Sequence, residues 1–252
     1  MSEIKFNEFV DIVKRLRKEC PWDKEQTNDS IKASTLEEAF EVVHAIDEND
    51  FDEFKKELGD LLLHVVFHTQ IAEELGHFSI ENVIQSITDK MIRRHPHIFG
   101  DTTVNNSKDV KKNWETIKLE EGRSSVLDGL PKAMPALLRA HRMQEKASKV
   151  GFDWTNSEDV WKKVIEEISE LKSAEETKNQ NDIEEEFGDL LFALSNYARF
   201  IDINPENALR KACSKFDNRF RYIEVKLKEN GKHISSSNLE EMDFYWNESK
   251  KK

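Results

Sequence analysis

Apolar residues recur every three or four positions along most of the chain. Val160, Trp161, Val164, Ile165, Ile168 and Leu171 form one such stripe, and Ile183, Phe187, Leu190, Leu191 and Leu194 form another. That spacing marks one face of an α-helix. No turn of the Asn-Gly type separates two alternating runs, as a β-hairpin would require. Gly and Pro stand instead between the helical stretches, at Gly76, Pro96, Gly100, Gly122, Gly129, Pro131, Pro135, Gly151 and Pro205. The pattern predicts an all-α chain of about nine or ten helices with essentially no sheet.

The helical pattern is written twice. Glu37-Glu38-Ala39-Phe40-Glu41 returns as Glu166-Glu167-Ile168-Ser169-Glu170, and Glu57-Leu58-Gly59-Asp60-Leu61-Leu62 as Glu186-Phe187-Gly188-Asp189-Leu190-Leu191, both 129 residues later. Past a four-residue deletion, Lys90 and Arg94 fall on Lys215 and Arg219 at an offset of 125, and Trp114 and Lys118 on Trp246 and Lys250 at 132. Four blocks in one order describe two tandem copies of a helical-bundle module. Gly, Ser and Pro concentrate in Glu121–Pro135, which sets the expected boundary. It gives a first module over 1–122, a linker over 123–135 and a second module over 136–252.

Fifty acidic against 38 basic side chains leave a net charge of −12. Attraction to a phosphate backbone therefore cannot dominate, and no nucleic-acid partner is expected. At 37% hydrophobic and 35% charged, the 252 residues suit slim bundles with wide wet faces. The longest apolar stretches, such as Leu61–Phe67 interrupted by His64, are too short to span a bilayer. Met1 to Phe9 lacks a basic segment followed by an apolar one. Cys20 and Cys213 offer neither a metal pair nor a disulfide framework. The expectation is a cytoplasmic protein with free thiols and no membrane partner.

Acidic residues come in pairs three apart. In the second copy Glu167 and Glu170 share one helix face, and Glu186 and Asp189 share a face of the next. Glu38, Glu41, Glu57 and Asp60 are their counterparts in the first. Each pair lies beside an apolar stripe, so antiparallel packing of the two helices should bring all four carboxylates to the rim of a buried seam. Four like charges there repel unless a cation intervenes. Oxygen-only ligands select a hard ion, Mg²⁺ or Mn²⁺. Gly59 and Gly188 sit at equal places inside two helices, where Gly costs ~1 kcal/mol relative to Ala. Their retention implies close helix packing or room for a ligand.

This EExxE…ExxD pattern resembles the signature of the all-α NTP pyrophosphohydrolases, and the two-copy layout is similar to that of the MazG family. Cys20-Pro21-Trp22-Asp23 with Gln26-Thr27, Arg93-Arg94-His95-Pro96-His97, Leu127-Asp128-Gly129-Leu130-Pro131 and Gly151-Phe152-Asp153-Trp154 look like landmarks of that family, spread over nearly the whole chain. The resemblance implies Mg²⁺-dependent cleavage of NTPs and dNTPs to monophosphate and pyrophosphate in a homodimer, with most of the activity in the second copy. The limited core of a module of about 120 residues also favours a partner chain.

On this resemblance Glu167, Glu170, Glu186 and Asp189 hold the metal, with Glu38, Glu41, Glu57 and Asp60 as the equivalent set. Either Glu166 or Glu185 serves as general base. Lys215 and Arg219, one turn apart, face the phosphates, and Lys163 is a further candidate. Trp246 either stacks on the base regardless of its identity or anchors the C-terminal helix; Lys250 follows one turn on. Stacking without base-edge contacts implies broad base specificity. A catalytically silent helical dimer that binds nucleotides or protein is the alternative, but it has no need of converging carboxylates. A di-iron bundle needs a second Glu-x-x-His, and Glu41-x-x-His44 is matched by Ser173 in the second copy. His64 and His68, whose counterparts are Ala193 and Tyr197, read as packing or surface residues, and His95 and His97 as a helix end. Trp22 and Trp154 read as packing the entrances of the two modules.

Overall fold

The computed structural model describes residues 2–106, 109–110, 113–114, 117, 121 and 124–251, with side chains from residue 5 onward. Lys118, Gly122 and Arg123, which enter the repeat and boundary above, lie outside the described residues. No strand occurs among those described. The chain divides into two compact units, Met1–Val110 and Lys111–Lys252. No described helix is long and apolar enough to cross a membrane.

The first unit holds α1 (Ser2–Glu19), α2 (Pro21–Glu25), α3 (Lys32–Glu48), α4 (Phe51–Glu74), α5 (Ile80–Arg94) and α6 (Pro96–Phe99). Only two residues join α3 to α4, so the pair folds back as a helical hairpin. Asn49 ends α3 in the left-handed region, with φ 56°, and the Asp50 carboxylate caps α4 by accepting the Asp52 and Glu53 N–H groups. Val10, Val13, Ile31, Val66, Phe67, Ile71 and Ile80 form the core beneath this hairpin. The short helices α2 and α6 both open on a proline, whose fixed φ suits a first helical turn. The buried Arg17 guanidinium donates to the carbonyls of Asp23 and Gln26 and pairs with Glu74 at 2.6 Å. The Cys20–Gln26 stretch is thus clasped to the unit through its backbone. Trp22 is 63% exposed and does not pack the entrance as the sequence suggested.

The second unit repeats the plan with α7 (Ala136–Ser148), α8 (Ser157–Thr177), α9 (Gln180–Phe200) and α10 (Pro205–Glu229). A 3₁₀ turn (Ile234–Ser236) then leads to α11 (Leu239–Ser249). The α8–α9 hairpin turns at Lys178, φ 57°, and Asn179 caps α9. These are the positions of Asn49 and Asp50 shifted by 129. The buried Lys146 ammonium on α7 donates to the carbonyls of Val126 and Asp128 at 2.9 and 2.8 Å. That part of the expected linker is therefore fastened to α7.

One expectation fails in an informative way. The seam between the hairpin helices is not closed within one chain: Trp161, Ile165 and Phe187 are 44%, 51% and 53% exposed. The buried side of this hairpin is lined by smaller residues, Val160, Val164, Ala174, Ala193, Ser195 and Ala198. A Cβ added at Gly59 or Gly188 would meet nothing within 4 Å. Close packing inside the chain is therefore not what keeps these glycines.

Candidate metal centre

Each hairpin gathers carboxylates from its two helices. In the second unit, oxygens of Glu167 on α8 and of Glu186 and Asp189 on α9 lie within 4.8 Å of one another; in the first, Glu38, Glu41 and Glu57 do so across α3 and α4. Three of each expected four converge. Glu170 and Asp60 stand outside these groups, yet close enough to act on them. Burial first, then the charges of Glu170, Asp189, Glu167 and Glu185, raise the Glu186 carboxyl above its ordinary range. Burial, Glu41 and Asp60 do the same to Glu38. Excess negative charge among oxygen donors suits a hard divalent cation.

The two clusters are compensated differently. Lys163 Nζ lies 2.8 Å from both Glu166 and Glu167, which hold the ammonium firmly charged. The Glu166 carboxylate is thus paired, and no ion pair engages Glu185 among the described residues. Ser34 occupies the Lys163 position in the first unit. There Glu57, buried and hydrogen-bonded with Glu53 and Glu41, is pushed up to about 7. His64 Nε2 stands 3.8 Å from Glu38. Behind it runs a polar chain: Thr35 Oγ1 lies 3.0 Å from His64 Nδ1 and 2.8 Å from His68 Nε2, and His68 Nδ1 lies 2.7 Å from Asn28 Oδ1. Reading these two histidines as packing or surface residues missed this network, because its partners lie 29 to 40 residues away in sequence.

The chain belongs to the MazG family. The MazG nucleotide pyrophosphohydrolase domain matches it twice, over residues 26–99 and 155–223, and each match contains one carboxylate cluster. A nucleoside triphosphate pyrophosphohydrolase/pyrophosphatase MazG from Thermotoga maritima is 46% identical over 98% of this chain and 96% of its own. A nucleoside triphosphate pyrophosphohydrolase of Escherichia coli K12 is 44% identical over 96% of both chains. YabN of Bacillus subtilis is 48% identical over 97% of this chain, which spans 51% of that protein.

The remaining expected residues of this MazG chain lie on α10 and beyond. Lys215 and Arg219 project from α10, and neither bonds to a carboxylate of the clusters among the described residues. Arg219 lies over the Trp246 ring at 5.5 Å, and the Phe216 ring is tilted against it with centroids 5.3 Å apart. Trp246 thereby fastens α11 to α10. Lys250 caps α11 and donates to Asn247 at 2.8 Å. Trp154, the other entrance tryptophan, is 42% exposed and lines an open cavity.

Proposed function

We propose that the chain is a Mg²⁺-dependent nucleoside triphosphate pyrophosphohydrolase that releases monophosphate and pyrophosphate and works as a homodimer. The carboxylate cluster of Glu167, Glu186 and Asp189 beside Lys163 carries this reading, and the activities in its relatives' names support it. Glu170 completes the ligand set from one turn along α8. A bound Mg²⁺ would supply positive charge against the triphosphate and Lewis-acid activation of water. The chain's own groups then position and neutralise: Lys163 exchanges its carboxylate partners for phosphate oxygens, and Lys215 and Arg219 meet the pyrophosphate end. Glu185, which no ion pair engages among the described residues, suits proton abstraction better than Glu166.

The dimer rests on the open hairpin faces. Trp161, Ile165 and Phe187 in one unit, and Leu36, Phe40 and Leu58 in the other, are exposed on helices whose other sides are packed. Covering them with a second copy completes a four-helix arrangement around each cluster. Incubation with each NTP and dNTP, with and without Mg²⁺, tests the chemistry by its phosphorus products. Monophosphate and pyrophosphate, lost in excess EDTA, are expected. Diphosphate plus orthophosphate would overturn the reaction, and undiminished turnover in EDTA the metal. Sedimentation at micromolar concentration tests the dimer, which an active monomer would refute.

A further inference from the structure

Beside the carboxylates of the first unit stands a ring nitrogen that the second cluster lacks. His64 Nε2 faces the Glu38 carboxylate at 3.8 Å, with the imidazole only 14% exposed. That separation is beyond hydrogen-bond reach, but it is close to the spacing of two ligand atoms on one ion, about 3–3.5 Å. Glu41 and Glu57 bring oxygens to the same place as Glu38.

The polar chain behind His64 fixes which of its nitrogens carries the proton. At the far end, Asn28 Oδ1 lies 2.7 Å from His68 Nδ1. An amide oxygen only accepts, so Nδ1 holds the His68 proton. Burial, then His64, lowers the His68 pKa, which keeps that ring neutral and its Nε2 bare. The Thr35 hydroxyl, 2.8 Å away, donates its single proton to that nitrogen. Thr35 Oγ1 is then left to accept from His64 Nδ1, 3.0 Å away. The Ile31 carbonyl, 3.1 Å from the same hydroxyl, competes for the Thr35 proton and leaves His64 Nδ1 the donor in either case. A neutral His64 therefore turns an unprotonated Nε2 toward carboxylate oxygens. Two acceptors facing each other with no proton between them are both unsatisfied, and a cation placed there satisfies both. An imidazole whose other N–H is held by an oxygen acceptor is also the usual arrangement of a metal-bound histidine.

We propose that the first unit binds a divalent transition ion through His64 Nε2 and the Glu38, Glu41 and Glu57 carboxylates, with Thr35 as a positioning residue. In the second unit Ala193, Val164 and Tyr197 stand at the positions of His64, Thr35 and His68, so its cluster offers oxygens alone. A nitrogen donor moves preference away from Mg²⁺ and toward Zn²⁺ and its neighbours. The two clusters of one chain thereby select different ions. The first unit's ion takes no part in the reaction assigned to the second, so the inference stands apart from that reaction.

Zinc itself is the probe, on the full chain in excess Mg²⁺. Equilibrium dialysis measures how tightly it is retained, and X-ray absorption detects imidazole among its ligands. The wild type should retain a Zn²⁺ bound by one imidazole and by oxygens. His64→Gln should weaken that ion at least about tenfold and remove the imidazole signature. Thr35→Val should keep the imidazole and weaken the ion about tenfold, because the hydroxyl that orients the ring is gone. This variant changes little in volume and keeps the test open if His64→Gln fails to fold. Glu186→Gln, in the other cluster, should leave the imidazole-bound ion unmoved. An imidazole signature that survives His64→Gln overturns the site, as does a wild type whose retained Zn²⁺ is lost altogether in Glu186→Gln. Unaltered Zn²⁺ affinity in both His64→Gln and Thr35→Val overturns it too, and leaves His64 and Glu38 as an ion pair.

Discussion

The two units share a hairpin, its turn and its acids, and they part company over what faces the acids. In the first, Thr35, His64 and His68 lead a polar chain up to Glu38, and burial with the Glu53 and Glu41 contacts pushes the Glu57 carboxyl up to about 7. In the second, Val164, Ala193 and Tyr197 stand at those same positions, and Lys163 supplies the compensating charge. Ala193 lines an open cavity there, whereas in the first unit His64 stands at its position and Phe67 belongs to the core. One carboxylate pattern is thus stabilised either from within, by protons and histidines, or by a cation with space beside it for a ligand. Under the proposed function, the second arrangement is the one that receives the charged substrate.

The sharpest way to break this contrast is to neutralise matched acids. Glu170→Gln or Asp189→Asn should lower kcat at least about a hundredfold, whereas Glu41→Gln or Asp60→Asn should cost under about threefold. Equal losses would mean that both clusters turn over substrate. A subtler probe makes the second cluster resemble the first. Lys163→Ser removes the ammonium beside Glu167 and should cost about tenfold in kcat/KM, with the loss easing as Mg²⁺ is raised.

The first cluster answers to pH. Glu57 is pushed up to about 7 from an ordinary 4.5, so its protonated form favours the folded unit. That stabilisation is complete below the unfolded value and is lost as pH rises through the folded one. Without added metal, hydrogen exchange along α4, corrected for intrinsic rates, should quicken between about pH 5 and pH 8. Glu57→Gln should flatten the profile, and a slope unchanged by that substitution would remove the proton from the account.

Much of this was legible in the residues themselves. Periodicity marked the hairpin helices, and equal spacing of identical acids marked both clusters, because helical geometry converts spacing directly into shared faces. Periodicity does not say what covers an apolar face, so Trp161, Ile165 and Phe187 read as core although they lie open in the single chain. Glu170 shows the limit of the wheel: it lies near the cluster but points its oxygens outside the closest group.

The hairpin turn is the same in both units, yet a different residue makes it. Asn49 tolerates the left-handed backbone through its short polar side chain, whereas Lys178 adopts φ 57° without that help. The two halves share a backbone shape here, and the second holds it with a residue less suited to it. The turn is therefore a reserve of thermal tolerance that can be drawn on away from the chemistry. Lys178→Asn should stabilise the second unit by about 0.5–1 kcal/mol, read as a small rise in Tm with kcat and KM unmoved.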